Sequence, residues 1–199
     1  MIKRIQLCHR HAVKVSGRDT FDFASGVNIL VGPNGSGKTT LLQAIRSCER
    51  CRRIAEGNGS IRYFDSETMN PHTDSRPAGN LLRMLLRTRG TFSSHGEIMK
   101  AALVSMPVRK GDLFLVDEPE SGQDLAGVRV IAKGFEQLAA NQVQVIAASH
   151  HPLFLQTGRL VELEPGYAAH LKHELCRTLD CEGREGRSEN EATGEAKGP

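Results

Sequence analysis

Three short runs in this chain carry groups able to handle a polyphosphate. The first is Gly32-Pro33-Asn34-Gly35-Ser36-Gly37-Lys38-Thr39, followed by Thr40. It fits the pattern G-x-x-x-x-G-K-[ST] and stands between a predicted strand and a predicted helix, the context that the pattern requires. A triphosphate needs many hydrogen-bond donors at close range. Glycines let the backbone wrap around it without Cβ clashes. The amides then form an anion nest, helped by the N-terminus of the helix that follows. Lys38 is expected to reach the β- and γ-phosphates, and Thr39 to place its hydroxyl on Mg²⁺.

The second run is Asp117-Glu118, directly after the apolar stretch Leu113-Phe114-Leu115-Val116 and before Pro119. A carboxylate at the C-terminal end of a parallel strand lies near the phosphate loop of an open α/β sheet. Asp117 is expected to hold the metal, directly or through water. Glu118 is then placed to orient or deprotonate the attacking water. The third run is Ser149-His150-His151-Pro152, after the apolar run Val143 to Ala148. A histidine at a strand end can touch a γ-phosphate and register its presence; two adjacent histidines are also ordinary loop residues.

These groups are useful only if regular elements bring them together. Val27 to Val31 reads as a buried strand ending at a glycine. Leu41, Leu42, Ala44, Ile45 and Cys48 recur at helical spacing, and the helix is expected to run on toward Gly57. Earlier, Ile2, Ile5 and Leu7, Ala12 to Val15 and Phe21 to Phe23 read as strands. Ser60 to Phe64 and Leu160 to Leu163 read as further strands, and Leu125 to Ala140 as a helix. Residues 65–80 read as a loop, with helices expected around Leu81 to Leu86 and from Gly96 to Pro107. Strands alternating with helices mean an α/β domain with a largely parallel sheet.

Together these residues resemble the ATP-binding cassette (ABC-type) ATPases. The run GPNGSGKTT is similar to that family's phosphate loop, and Leu113 to Pro119 to its Walker B segment. Ser121-Gly122-Gln123-Asp124 resembles the D-loop, and Ser149-His150 the switch-histidine segment, which gives the sensor role to His150. Ser94 aligns with the serine of the family signature, Gly96 with its second glycine and Glu97 with its final glutamine. His95 replaces a glycine there. The resemblance implies an α/β P-loop NTPase with a mostly parallel central sheet, N-terminal antiparallel strands and a small helical subdomain. It implies a Mg²⁺-dependent ATPase with Glu118, His150 and Lys38 as catalytic groups. Gly32 through Thr40 would hold ATP, and Thr39 and Asp117 the metal. Ser94 and Gly96 of a second copy would close on the γ-phosphate, making an ATP-dependent head-to-tail homodimer. The opening strands and the run from Asp117 to Gly122 look closer to the stand-alone, SMC-like and RecF-like ATPases of the AAA group than to transporter subunits. No glutamine stands where a Q-loop is expected, and no aromatic residue stands upstream to stack on adenine.

The whole chain has 199 residues, room for one domain with a tail. We assign 1–180 to the ATPase domain. Residues 181–199 contain almost nothing apolar and are expected to form a disordered polar tail. No stretch suits a signal peptide or a membrane span, so a cytoplasmic protein is expected. A formal charge of +3 and 5% aromatic residues give little ground for nucleic-acid binding on their own. Arginines cluster at Arg46, Arg50, Arg52 and Arg53, and again at Arg83, Arg87 and Arg89; they fit a solvated face or an anionic partner. Cys48-x-x-Cys51 invites a zinc reading with Cys176 and Cys181. The second pair is spaced differently and the first lies in an apparently helical stretch, so the cysteines are read as reduced thiols. Three functions compete: a soluble ATP-driven switch on a protein or DNA partner, the nucleotide-binding subunit of a membrane transporter, and a small-molecule kinase.

Overall fold

The computed structural model describes residues 1–65 and 107–185. The expected helices at 81–86 and 96–107, the signature residues Ser94 and Gly96, and with them the helical subdomain lie outside the described residues.

Five strands form one parallel sheet: β3 (Val27–Val31), β5 (Ile61–Asp65), β6 (Leu113–Asp117), β7 (Gln144–Ala148) and β8 (Arg159–Glu162). Their order is β5-β6-β7-β3-β8. Strands β3, β6 and β7 are buried at every position. That is why they read as mostly apolar runs rather than as alternating ones.

Successive side chains of these strands feed two cores. On one face Leu30, Leu115, Ile146 and Ala148 pack with Leu41, Leu42 and Ile45 of helix α2 (Lys38–Ser47). On the other, Ile29, Phe114, Val116, Val145 and Ala147 pack with Val128, Ile131 and Phe135 of helix α3 (Leu125–Ala140) and with Phe154. Helix α4 (Tyr167–Glu185) joins this second face through Tyr167, Leu171 and Leu175. The boundary expected at 181 falls inside α4, and the tail from 186 on lies outside the described residues. Among the described residues no helix is long and apolar enough to cross a membrane.

A second, antiparallel sheet covers the α2 face: β2 (Thr20–Asp22), β1 (Ile2–Gln6) and β4 (Arg52–Ala55), in that order. Two sequence expectations fail here. Residues 12–15 are not a strand. Cys8 caps a single helical turn, α1 (His9–Ala12), and tight turns follow through Val15. Val15 is fully buried while Val13 is 66% exposed, the alternation that mimicked a strand. Helix α2 also stops earlier than expected. Cys48 turns to an extended conformation, and residues 52–55 pair with β1 instead. Pairing with β1 overrides the helical propensity of an arginine-rich stretch. Every β4 residue is exposed, as suits a charged sheet edge.

Besides shared apolar packing, a buried amide bridges the two sheets. Gln144, fully buried, accepts a 2.6 Å hydrogen bond from Ile2 N and donates 2.8 Å bonds to the carbonyls of Ile2 and Ala24. The amide thus acts as a rung of backbone between sheets. Gln144→Leu keeps the volume but leaves buried backbone groups of β1 unpaired, at about 1–3 kcal/mol each. A loss of about 3 kcal/mol in urea unfolding is expected; a change within error would show that the rung contributes nothing.

Candidate active site

Strand β3 ends at Val31, and the chain turns through Gly32 to Gly37 into α2. Gly35 and Gly37 take φ of 79° and 94°, a left-handed backbone open to glycine. Gly37 is also crowded. A Cβ there would lie 2.3 Å from the carbonyl oxygen of Lys14. The loop therefore rests on the turn after α1.

Lys38 is only 6% exposed, and its ammonium donates to the carbonyls of Gly32 at 2.9 Å and Pro33 at 3.0 Å. Burial lowers its pKa, opposed by the negative charges of Glu118, Asp117 and Glu120. The cation is held within the loop by two neutral acceptors, which an anionic phosphate can displace.

Asp117 ends β6, which is separated from β3 by β7 alone. It is 5% exposed. The Tyr63 hydroxyl donates to its Oδ2 at 3.3 Å, and its Oδ1 is buried with no hydrogen-bond partner. Burial pushes the carboxyl up to about 6; the Thr39 and Tyr63 hydroxyls oppose this, and the charges of Asp65 and Glu118 add to it. A buried carboxylate with an orphaned oxygen beside a threonine hydroxyl is a donor set suited to a hard divalent cation.

Glu118 has φ of 47°, an unusual backbone for a non-glycine residue. Its N–H donates to Ala148 O at 3.0 Å, so the chain turns sharply while still bonded to β7. Such strain in a cleft is a common mark of a working residue. His150, at the end of β7, places Nε2 3.9 Å from Glu118 Oε1. Burial, and after it the charge of Lys38, lower the pKa of His150 against the charges of Glu120 and Glu118, which favours the neutral ring. Its neighbour is occupied elsewhere: His151 Nδ1 accepts from Leu153 N at 3.2 Å, capping the 3₁₀ helix Pro152–Gln156. Geometry thus separates the two histidines: His150 faces Glu118, and His151 serves the 3₁₀ helix.

Asn34, Gly35, Gly37, Lys38, Thr39, Thr40, Glu118 and His150 line one cleft of about 740 Å³, with Val13 and Lys14 as its far wall. Ser36 lies beneath the loop, nearly buried. Two residues of the site escaped the sequence reading. Glu120 Oε1 accepts from Ser149 Oγ at 2.8 Å and from His150 N at 2.7 Å, fixing the histidine loop. Val13 supplies an exposed apolar surface to a cleft whose described lining holds no Phe, Tyr or Trp. Only the run Glu118-Pro119-Glu120 hinted at the first, and nothing in the sequence marked the second. Asp124, in the D-loop-like run, caps α3 by accepting from Gly127 N at 2.7 Å.

Comparison with known proteins agrees with this geometry. A family described as an AAA domain matches residues 8–49. ABC transporter F family member 5 of Arabidopsis thaliana is 26% identical over 202 residues, 85% of this chain and 28% of that protein. The cytochrome c biogenesis ATP-binding export protein CcmA of Gluconobacter oxydans is 29% identical over 164 residues, 70% of this chain and 75% of that protein. Among solved structures, cbiO1 from Clostridium perfringens, part of the ABC transporter complex cbiONQ, superposes with a TM-score of 0.58 at 15% identity. The match covers 94% of this chain and 95% of cbiO1. The phosphate loop, the acidic strand end and the parallel sheet that carries them make this chain an α/β P-loop NTPase. Its curated relatives include ABC-type ATP-binding proteins, and its fold is similar to that of one in the cbiONQ complex.

Proposed function

We propose that this chain binds ATP with Mg²⁺, hydrolyses it to ADP and phosphate, and uses the cycle as a dimerisation switch on a protein or DNA partner. The observation that carries the reading is one cleft holding Lys38, Glu118 and His150 around a glycine loop. Lys38 leaves the carbonyls of Gly32 and Pro33 for the β- and γ-phosphates. The loop amides from Asn34 to Thr40 take up the phosphate charge. Val13 offers the base an apolar contact. Neutral His150 donates its Nε2–H to the γ-phosphate, and Glu118 accepts the proton of the attacking water. Thr39 and Asp117 would hold Mg²⁺, which supplies charge neutralisation between the phosphates. Ser94 and Gly96 of a second copy close the site head to tail, and hydrolysis releases that grip.

Phosphate release from ATP tests this directly. Turnover is expected with Mg²⁺ and none in excess EDTA; equal rates in both, or no release under any condition, would remove the hydrolytic reading. The names of the CcmA and cbiO1 relatives favour a second reading, the ATP-binding subunit of a transporter. Pull-down from solubilised membranes separates the two: a stable complex with a membrane subunit supports the transporter, and its absence alongside DNA- or protein-stimulated ATPase supports the switch.

A further inference from the structure

The expected partners of Cys48 and Cys51, Cys176 and Cys181, lie on another element. Those two belong to α4, which packs on the opposite face of the parallel sheet. The antiparallel register of β1 and β4 sets Gln6 opposite Arg52, which carries Cys51 to the end of β1, where Cys8 begins. His11 lies three residues beyond Cys8, one turn along α1, and shares its side of the helix. Cys48 ends α2 and supplies the fourth corner.

We propose that Cys8, His11, Cys48 and Cys51 form a structural metal site of the Cys₃His type, with Zn²⁺ as its ion. The three sulfurs and the histidine nitrogen all lie within 4.8 Å of one another. His11 Nδ1 is 3.1 Å from Cys8 Sγ and 3.5 Å from Cys51 Sγ. A tetrahedral zinc with bonds of about 2.3 Å to sulfur and about 2.0 Å to nitrogen needs edges of about 3.5–3.8 Å. The groups therefore stand close to bonding positions. They are too many, and too evenly spread, for one disulfide to account for them. Cys8 N–H donates to Cys51 Sγ at 3.3 Å, an amide placed to stabilise a metal-bound thiolate. Thiolate-rich sets favour zinc over the hard cations. Four protein ligands leave no open position, which makes the site structural rather than catalytic.

Its place in the fold gives it a task. The metal ties α1 to the C-terminus of α2 and to the edge strand β4. The turn after α1 carries Lys14 against Gly37 and Val13 into the nucleotide cleft. A crosslink at Cys8 and His11 thus fixes one wall of that cleft. The inference stands on the ligand geometry and holds whether or not the cleft hydrolyses ATP.

Elemental analysis of the full chain, purified without chelators, tests the proposal. About one zinc per chain is expected. Cys51→Ser and His11→Ala are expected to lose it, and Cys176→Ser to keep it. Co²⁺ added to the metal-free chain is expected to give the intense thiolate charge-transfer absorption and the d–d bands of a tetrahedral ion. His11→Cys guards against variants that fail to fold: it should still bind Co²⁺, with the d–d bands moved to longer wavelength. Any of three results overturns the site: no zinc together with an octahedral Co²⁺ spectrum, zinc retained in both Cys51→Ser and His11→Ala, or a native Cys48–Cys51 disulfide in the metal-free protein as isolated.

Discussion

Glu118→Gln is expected to slow ATP hydrolysis by about two to four orders of magnitude while nucleotide binding persists. Glutamine has the shape of glutamate and keeps the turn, but it cannot accept a proton. The change acts on an acidic side chain whose Oε1 lies 3.9 Å from Nε2 of His150. Its backbone is already committed, at φ 47° and bonded to Ala148 O, so the substitution leaves the strained turn intact. Under the proposed switch, in which hydrolysis releases the second copy, ATP should convert this variant to a stable dimer. Phosphate release and size-exclusion chromatography measure the two effects. Near-normal turnover would dismiss Glu118 as the base, and a strictly monomeric variant in saturating ATP would dismiss the switch.

Lys38→Ala carries the second large effect, a loss of about a hundredfold or more in ATP affinity. A charge-assisted hydrogen bond contributes about 1.5–3 kcal/mol, and the ammonium is expected to make more than one to the phosphates. At about 1.4 kcal/mol per tenfold, two such bonds reach that figure. The variant also removes the clasp on the carbonyls of Gly32 and Pro33, so the loop loses an internal tie. Calorimetric titration with ATP gives the affinity, and a thermal melt shows whether the fold survives. Unchanged affinity in a folded variant would mean that the lysine serves the loop alone. Lys38→Arg tests shape: the pocket leaves the side chain only 6% exposed, and the larger guanidinium is expected to bind poorly as well.

The working end of this fold was legible because its signals are local. Strands β3, β6 and β7 are buried along their whole length, so each reads as a mostly apolar run that stops at the residues proposed to do the chemistry: Gly32, Asp117 with Glu118, and Ser149 with His150. What the sequence hid depends on contacts between distant segments. Strand β4 exists because β1 pairs with it, and nothing in Arg52-Arg53-Ile54-Ala55 says so alone. Gln144 reads as the polar start of a strand, yet its amide joins residues 142 positions apart. Glu120 reads as a surface acid and proves to anchor the histidine loop. Cys8 and His11 sit beside Cys48 and Cys51 only because a short helical turn replaces the strand that Ala12 to Val15 imitated. In each case pairing or burial chosen elsewhere overrode the local preference.

The carboxylate of Glu120 has one further consequence. By gripping both the hydroxyl of Ser149 and the amide of His150, it turns two loops on separate strands into a single lever. The backbone continues from that lever through Ser121 and Gln123, each bonded back to the preceding turn, to the capping carboxylate of Asp124. The Ser149–His150 segment is therefore tied to the tip of α3 by bonds that do not pass through the sheet. Under the proposed reaction, loss of a phosphoryl group beside His150 would reach the outer surface along this path.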